Sequence, residues 1–220
     1  MTDDANDTVA EPVTEPVTEK KTRMSSEDRR ALVLDAATTV FGDAGYSGTT
    51  TDAVARAAGV SQPYVVRMFG TKEQLFLDVL HRALLKLMEA FREAIAGDPE
   101  VPMARRLGLA YFALTADRGL LLCLMHAFAL GSDPVIGPAA RYGFLDVYHL
   151  LREEAGMSPD EASAFLAGGM LSNVVLGVRM LDDYDDDPAV RELMQTVFPE
   201  KLDVIRAAHP PRAAPSAPRR

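Results

Sequence analysis

The pattern of apolar and polar residues along the chain is mostly that of α-helices. The first helix shows it in apolar residues that recur three or four positions apart and so share one helix face: Val33, Ala36, Ala37, Val40 and Phe41. No segment shows the sustained period-two alternation, bounded by turn residues, that is typical of β-strands. The pattern therefore predicts an all-α protein of about nine helices.

Capping signals mark where several of these helices begin and end. Ser25 followed by Asp28 resembles a capping box, in which two side chains satisfy backbone N–H groups at a helix start. Gly45 is predicted to end that first helix in the left-handed αL conformation, which glycine adopts without steric cost. Thr49 is predicted to cap the short helix that follows, and Gly59 to end it.

Similar signals organise the C-terminal half. Ser158 and Glu161 form another capping box, and the almost uncharged helix that it opens is predicted to reach about Leu181. The pair Asp187-Pro188 is predicted to start one last helix that runs through Arg206. The chain is therefore predicted to stay helical to about residue 208.

Composition favours a folded centre between two disordered ends. Apolar residues make up 48% of the 220 residues, which is ample for a core. Residues 1–24 hold prolines, threonines and acids but no aromatic residue, and residues 209–220 form a basic tail rich in Pro and Ala, so both are predicted to be disordered. No stretch approaches the roughly 20 apolar residues of a membrane span, and the acidic start lacks a secretory pattern. We therefore expect a cytoplasmic protein with no membrane segment.

The charge is unevenly distributed along the chain. The net charge of −9 looks unsuited to an anionic partner. Residues 20–82, however, hold nine basic and seven acidic residues, whereas residues 83–208 hold 11 basic and 19 acidic residues. The one stretch predicted to be both folded and positive is therefore the N-terminal one.

Residues that carry catalytic or metal-binding chemistry are sparse. Cys123 is the only cysteine, which excludes an intramolecular disulfide and a cysteine-based zinc site. The four histidines show no metal-ligand spacing, and we find neither a phosphate-binding loop nor a nucleophile with a partnered base. We therefore expect no catalytic residues, no metal and no cofactor.

The span from Gly45 to Phe76 has the sequence pattern of a helix-turn-helix. A short helix predicted from about Thr50 to Ala58 is followed by the turn AGVS, in which glycine permits the sharp change of direction. The second helix, predicted for residues 62–69, would project into the DNA major groove, where the base pairs differ in their donors and acceptors. The N-terminal segment is therefore interpreted as DNA-binding.

Over about residues 28–80 the chain resembles the tetracycline-repressor (TetR) family of bacterial regulators. The matching positions lie in the first helix, the paired threonines, the AGVS turn and the start of the fourth helix: Ala36, Ala37, Phe41, Gly45, Thr49, Thr50, Val54, Ala55, Ala58, Gly59, Val60, Ser61, Phe69 and Lys72. Where the family usually has Leu-Tyr-x-His-Phe, this chain has Val66 and Met68 in place of the tyrosine and the histidine.

The resemblance implies how the segment contacts DNA. It implies contacts to phosphates from hydroxyl and ammonium groups at the helix starts, namely Thr49, Thr50, Ser61, Tyr64 and Lys72. It implies contacts to base edges from the first turn of the second helix, namely Gln62, Pro63 and Tyr64. Tyr64 and Arg67 are candidates to replace the absent tyrosine and histidine.

The resemblance also implies the plan of the whole protein. Residues 25–81 are expected to bind double-stranded operator DNA, and residues 82–208 to bind an effector and to dimerise. A homodimer would hold its recognition helices roughly 34 Å apart, and an effector would relieve repression. The apolar helix from Pro159 to Leu181 is predicted to form the dimer interface with the last helix. Candidates for a pocket that takes an apolar or amphipathic effector are Phe91, Tyr111, Phe112, His126, Phe128, Tyr142, Tyr148, Met170 and Asn173.

Other functions stay open at this point. One is an enzyme with an accessory helix-turn-helix. Another is a protein-interaction module that has lost DNA binding, an alternative that Val66 and Met68 keep open. Activation instead of repression also stays open. For each pocket candidate the alternative is plain core packing, and for His126 it is a hydrogen-bonded core histidine.

Overall fold

The computed structural model describes residues 25–115 and 118–208, so the predicted tails at 1–24 and 209–220 lie outside the described residues. These ranges contain ten α-helices and no β-strand, which confirms the prediction of an all-α fold. The helices are α1 (Ser26–Gly48), α2 (Thr51–Ala57), α3 (Gln62–Phe69), α4 (Lys72–Ile95), α5 (Met103–Thr115), α6 (Arg118–Ala129), α7 (Ile136–His149), α8 (Pro159–Gly177), α9 (Pro188–Val197) and α10 (Leu202–Ala208). A π-helical turn (Leu150–Glu154) extends α7, and a 3-10 turn (Met180–Asp183) follows α8.

The two predicted capping boxes are both present. The backbone N–H of Asp28 donates to Ser25 Oγ at 3.0 Å, and the Asp28 carboxylate accepts from the Ser25 N–H in return. The N–H of Glu161 donates to Ser158 Oγ at 3.2 Å, with the same return bond. Each box satisfies N–H groups that the first helical turn leaves without partners, so α1 and α8 begin where the sequence predicts.

The predicted boundary between α1 and α2 needs two corrections. Gly45 has a positive φ of 69° but a ψ of 173°, so it is not in the αL conformation, and the chain kinks there before continuing to Gly48. Thr49 does not cap α2. The cap is Thr50, whose Oγ1 accepts from the Ala53 N–H at 3.1 Å.

The C-terminal helices are shorter than predicted. Helix α8 ends at Gly177 instead of Leu181, and two residues later Arg179 adopts a left-handed conformation with φ 59°. The predicted last helix is divided into α9 and α10 at Phe198, which has φ −129° and ψ 62°. The physical reason is that Pro199 follows, because a proline ring disfavours helical geometry in the residue before it.

The core of the N-terminal segment extends into the rest of the chain. Phe41 and Phe76 lie in one buried cluster with Cys123 of α6, so α6 packs directly on α1. The crossing is tight, because a Cβ atom added to Gly42 would lie 2.8 Å from the Gly119 Cα. Helix α4 also runs without a break across residues 81 and 82, the predicted domain boundary. Two helices, α4 and α6, therefore connect the helix-turn-helix to the larger part of the protein.

None of the described helices is by itself long and apolar enough to cross a membrane. One pair, Met103–Leu114 and Gly119–Ala129, meets that measure of length and composition only when its two helices, bent by 100°, are taken together.

Candidate functional site

The helix-turn-helix is anchored by a small set of buried side chains. Helix α2 buries Val54 and Ala55, and α3 buries Val65 and Phe69, which lie four positions apart on one helix face. Between the helices Gly59 has φ 66°, and a Cβ there would meet nothing within 4 Å, so backbone conformation alone favours glycine. The anchoring fixes which side of α3 faces outward.

The outward side of α3 carries most of the predicted contact residues. Ser61, Pro63 and Arg67 are exposed, and Val66 is exposed to 38%. Ser61 occupies the N-cap position, but its side chain makes no capping hydrogen bond to the helix. Its hydroxyl and the guanidinium of Arg67 are therefore available to a ligand.

Two of the predicted base readers are held by neighbouring side chains. Gln62 is half-buried, and its Nε2 donates to Thr51 Oγ1 at 3.2 Å. Tyr64 is also half-buried, with the Arg67 guanidinium 5.2 Å from its ring centroid. These contacts orient both side chains before any DNA arrives, which lowers the entropy lost on binding.

Lys72 is tied to α1. Its Nζ donates to the Tyr46 carbonyl at 2.9 Å and lies 4.4 Å from the Tyr46 ring centroid. The Tyr46 ring packs against Phe76 at 5.2 Å between centroids. Burial, and next the nearby Glu73 and Asp133 carboxylates, raise the pKa of Tyr46. Lys72 is thus a structural link between α4 and the kinked end of α1, as well as a cation near the predicted DNA surface.

Thr49 is not available as a phosphate contact, which corrects the prediction. Its exposure is 1%, and its hydroxyl donates to the carbonyls of Gly45 at 2.7 Å and Val40 at 3.2 Å. A buried hydroxyl needs hydrogen-bond partners within the protein, and these two carbonyls supply them. Thr50, beside it, stays exposed.

Tyr46 was missed by the sequence analysis. It matters because its carbonyl and its ring together hold the Lys72 ammonium. The sequence could have indicated it, because Tyr46 directly follows the glycine at which α1 kinks, and a large aromatic side chain at such a position usually packs into the core.

Comparison with known proteins decides the family of this segment. A family model described as bacterial regulatory proteins, tetR family, matches residues 33–79, which extend from α1 into α4. Residues 33–79 are thus a tetR-family segment. The resemblance inferred from residues 28–80 is thereby confirmed.

Relatives in this family match mainly over the same segment. The chain is 35% identical over 93 residues to the HTH-type transcriptional regulator YhgD of Bacillus subtilis, covering 42% of this chain and 48% of YhgD. It is 38% identical over 73 residues to the HTH-type transcriptional activator FasR of Mycolicibacterium smegmatis, covering 33% of each protein. The matched part of the chain thus spans half or less of these relatives, which are named as transcriptional regulators and not as enzymes.

A solved structure shares the fold over most of the chain. The TetR-like transcriptional regulator from Rhodococcus sp. RHA1 superposes with a TM-score of 0.59 at 22% identity. The match covers 80% of this chain and 97% of that one. The tetR-family fold therefore extends beyond the helix-turn-helix to the helices that follow it.

The larger part of the chain, C-terminal to the tetR-family segment, contains a cavity of about 470 Å³ between α4, α6, α7 and α8. Its lining is mostly apolar and aromatic, as in most sites for small organic ligands. Six of the nine predicted pocket residues line it: Phe91, Tyr111, Phe128, Tyr142, Met170 and Asn173. We call it the first cavity.

The other three predicted pocket residues lie elsewhere. Phe112 lines a different cavity, and Tyr148 packs into the core around Leu151. His126 faces α1, with its Nε2 3.3 Å from the Gly42 carbonyl, because Leu124 and Phe128 occupy the cavity side of α6. His126 is therefore the hydrogen-bonded core histidine of the alternative interpretation.

A polar pair lies in the otherwise apolar first cavity. The Tyr111 hydroxyl donates to Asn173 Oδ1 at 2.5 Å, and the Asn173 Nδ2 has the Met170 sulfur at 3.9 Å as its contact. Asn173 is 3% exposed, and a thioether is a weak acceptor, so its amide donor is poorly satisfied. Burial raises the pKa of Tyr111, partly offset by the bond to Asn173, so the phenol is neutral. The pair can give a ligand oxygen a hydrogen bond.

No group of three or more His, Cys, Asp or Glu side chains that could hold a metal ion occurs within residues 25–115 and 118–208.

Proposed function

We propose that this tetR-family protein is a transcriptional regulator that binds double-stranded operator DNA as a homodimer and is released from it by a small-molecule effector. The observation that carries the proposal is the outward face of α3, with Pro63, Val66 and Arg67 exposed over a buried anchor. That face lies inside the segment that matches the family model.

The face suits the major groove of DNA. An α-helix fits that groove, and side chains near the start of the recognition helix usually reach the base edges. Arg67 supplies a cation for phosphate, and Gln62 and Tyr64 supply polar groups for base edges. Val66, exposed to 38%, suits contact with a thymine methyl group better than contact with water.

The homodimer is supported by the outer surface of α8. Leu171, Val174 and Val178 are exposed to 45%, 43% and 63%, and they recur at helical spacing along one face. A contiguous exposed apolar stripe is typical of an interface. On α10, Val204 is exposed to 55% and can extend the same surface.

The effector role rests on the first cavity. Its volume of about 470 Å³ lies within the usual range for small-molecule sites, roughly 300–1,000 Å³. Its walls include α4, which follows α3 directly, and α6, which packs on α1. A ligand that spreads these walls would move the helix-turn-helix and shift the population away from the DNA-bound state. The lining favours an apolar or amphipathic effector.

Repression is the form of regulation that we propose, although a relative, FasR, is named an activator. A reporter gene under the control of the operator distinguishes repression from activation. Deletion of the regulator gene should raise reporter expression if the protein is a repressor and lower it if the protein is an activator.

The test of DNA binding is a selection from random double-stranded DNA with the full chain. We expect an enriched palindrome whose half-sites lie about one helical turn apart, because two recognition helices are related by the dimer axis. A variant with Val66→Asp, Arg67→Gln on the outward face should enrich nothing. Failure of the unmodified, folded protein to enrich any sequence would favour the protein-interaction module.

A further inference from the structure

A second apolar cavity lies next to the first. It has a volume of about 480 Å³ and is bounded by α5, α8 and the connection between α9 and α10. Gly108 of α5 and Gly168 of α8 widen it, because neither carries a side chain and a Cβ at either would meet nothing within 4 Å. We call it the second cavity.

The two cavities share a wall of three residues. Tyr111, Phe165 and Gly169 line both of them. A Cβ atom on Gly169 would lie 3.7 Å from Tyr111 Cε1, so the glycine lets the tyrosine ring lie close to the α8 backbone. Tyr111 is held by its hydrogen bond to Asn173, whereas Phe165 has open space on two sides and no hydrogen bond to lose, which lowers the cost of turning its ring aside. The wall is therefore the easiest place for the two spaces to join.

The charged residues that line the two cavities differ. Asp78 and Asp146 line the first cavity, where Arg30 pairs with Asp78 at 2.7 Å, and none of the described residues that line it is lysine or arginine. Arg105, Glu200 and Lys201 line the second cavity. Arg105 pairs with Glu200 at 2.8 Å, so Lys201 is the cation there that no described carboxylate pairs with. An anionic group is therefore favoured in the second cavity, beside Lys201, and disfavoured in the first, beside Asp146.

We propose that the two cavities together bind one elongated amphiphile, a long-chain carboxylate. Its head lies at Lys201, and its hydrocarbon chain passes the Tyr111–Phe165 wall into the first cavity. This inference rests on the proposed effector role of the first cavity and extends the ligand site to a region that the Tyr111–Asn173 pair alone does not define.

The test uses saturated fatty acids of 8, 12 and 16 carbons and the matching alcohols, titrated calorimetrically into the full chain. We expect the affinity to rise about fourfold for each added methylene, including those beyond the eighth carbon, because each is buried. Lys201→Gln should weaken the acids at least threefold and leave the alcohols unchanged. If the affinity does not rise from the 8-carbon acid to the longer acids, the ligand does not extend from one cavity into the other, and the inference is wrong.

A plug variant tests occupancy of the second cavity. Gly108→Leu fills it without a backbone clash, and leucine also has the higher helix propensity. We expect at least tenfold weaker binding of the 16-carbon acid. Gly177→Leu, at another helical glycine with free space and outside both cavities, should bind normally. If Gly108→Leu does not fold, Gly168→Leu serves from the opposite wall.

The outcomes separate this inference from the proposed function. If the plug variant binds fatty acids as before and still binds the operator, the second cavity is not part of the ligand site. The proposed function as a regulator is then unaffected. Loss of dimer by light scattering in the plug variant, with unchanged fatty-acid binding, assigns the second cavity to the subunit interface and also overturns the inference. Fatty-acid binding as predicted in a protein that enriches no DNA supports the inference and contradicts the proposed function.

Discussion

At the scale of single residues, the cations of the helix-turn-helix differ in how they are engaged. Arg56 pairs with Asp52 at 2.6 Å on the surface of α2, and Lys72 is bound to the Tyr46 carbonyl. Arg67 lies over the Tyr64 ring, and no acidic side chain of the described residues pairs with it. Arg67 is therefore the cation of this segment best placed to neutralise a phosphate.

Arg67→Gln should weaken binding to all DNA sequences about equally. It should also reduce the slope of log affinity against log salt by about one per subunit, because one fewer counterion is released. Electrophoretic shift assays at several salt concentrations measure both. Arg56→Gln is the matched control, since it removes another exposed arginine from the neighbouring helix, and its slope should stay unchanged. An unaltered slope in Arg67→Gln contradicts the phosphate contact.

Lys72→Met should lower fold stability and DNA affinity together. The substitution keeps the length of the side chain but removes a charge-assisted hydrogen bond to Tyr46, which contributes on the order of 1–2 kcal/mol at a half-buried site. Urea unfolding measures the free energy of unfolding, and the shift assay measures affinity. If the free energy of unfolding is unchanged and the slope of log affinity against log salt falls by one, Lys72 contacts DNA phosphate and does not stabilise the fold.

Gln62→Ala should relax preference at one base position in each half-site. One N–H of Nε2 is bound to Thr51, so Oε1 and the second N–H stay free, and Oε1 is an acceptor suited to an amino group of adenine or cytosine. The expected loss is about 1–3 kcal/mol at that position alone. Thr51→Val, which removes the hydrogen-bond partner of Nε2, should weaken the base preference at the same position. Random-sequence selection with each variant measures this, and an equal loss at every position transfers the role to Tyr64.

At the scale of elements, the crossing of α1 and α6 connects the helix-turn-helix to the cavity wall. The helices approach at Gly42 and Gly119, and Cys123 and His126 of α6 bond to the Thr38 and Gly42 carbonyls of α1. On its opposite side α6 lines the first cavity with Leu124 and other residues. One rigid helix thus contacts both the DNA-binding segment and the proposed effector.

Gly42→Ala should destabilise the protein by about 1–3 kcal/mol. The added methyl would lie 2.8 Å from the Gly119 Cα and 2.9 Å from its carbonyl oxygen, and backbone cannot move aside cheaply. Gly48→Ala is the control on the same helix, because its nearest contact would be at an ordinary 3.4 Å. Urea unfolding compares the two variants. Equal stabilities would mean that the crossing is loose.

At the scale of the whole molecule, surface chemistry is divided between the two ends of the chain. The stretch with excess basic residues contains the helix-turn-helix, and the acidic excess lies in the part with the cavities. The net charge of −9 therefore does not oppose DNA binding, because attraction to phosphates is screened within about 10 Å and depends on the nearby charges.

Val174→Asp combined with Val178→Asp should convert the proposed dimer into monomers. Two carboxylates on the apolar stripe of α8 would be buried without partners at the interface, which costs several kcal/mol. Light scattering at micromolar concentration measures the mass. Leu145→Asp is a matched control, because Leu145 is an apolar residue of α7 with a similar exposure of 46%. A dimer that survives the double substitution rules out this face as the interface.

The sequence by itself determined the features that depend on neighbouring residues. The Ser25 and Ser158 capping boxes, the all-α fold and the short helices around Gly59 follow from hydrogen bonds and apolar spacing within a few positions. Such interactions are local, so a string of residues contains them. The tetR-family segment was identifiable for the same reason.

Only the tertiary structure decided which faces these helices turn to one another. Thr49 is buried, with its hydroxyl bonded to the carbonyls of Val40 and Gly45, and His126 faces Gly42, 84 residues away along the chain. Lys72 contacts Tyr46 across 26 residues, and Tyr111 meets Asn173 across 62. Contacts at such separations depend on how whole helices pack, and packing is set by the fit of many side chains at once, which no local pattern records.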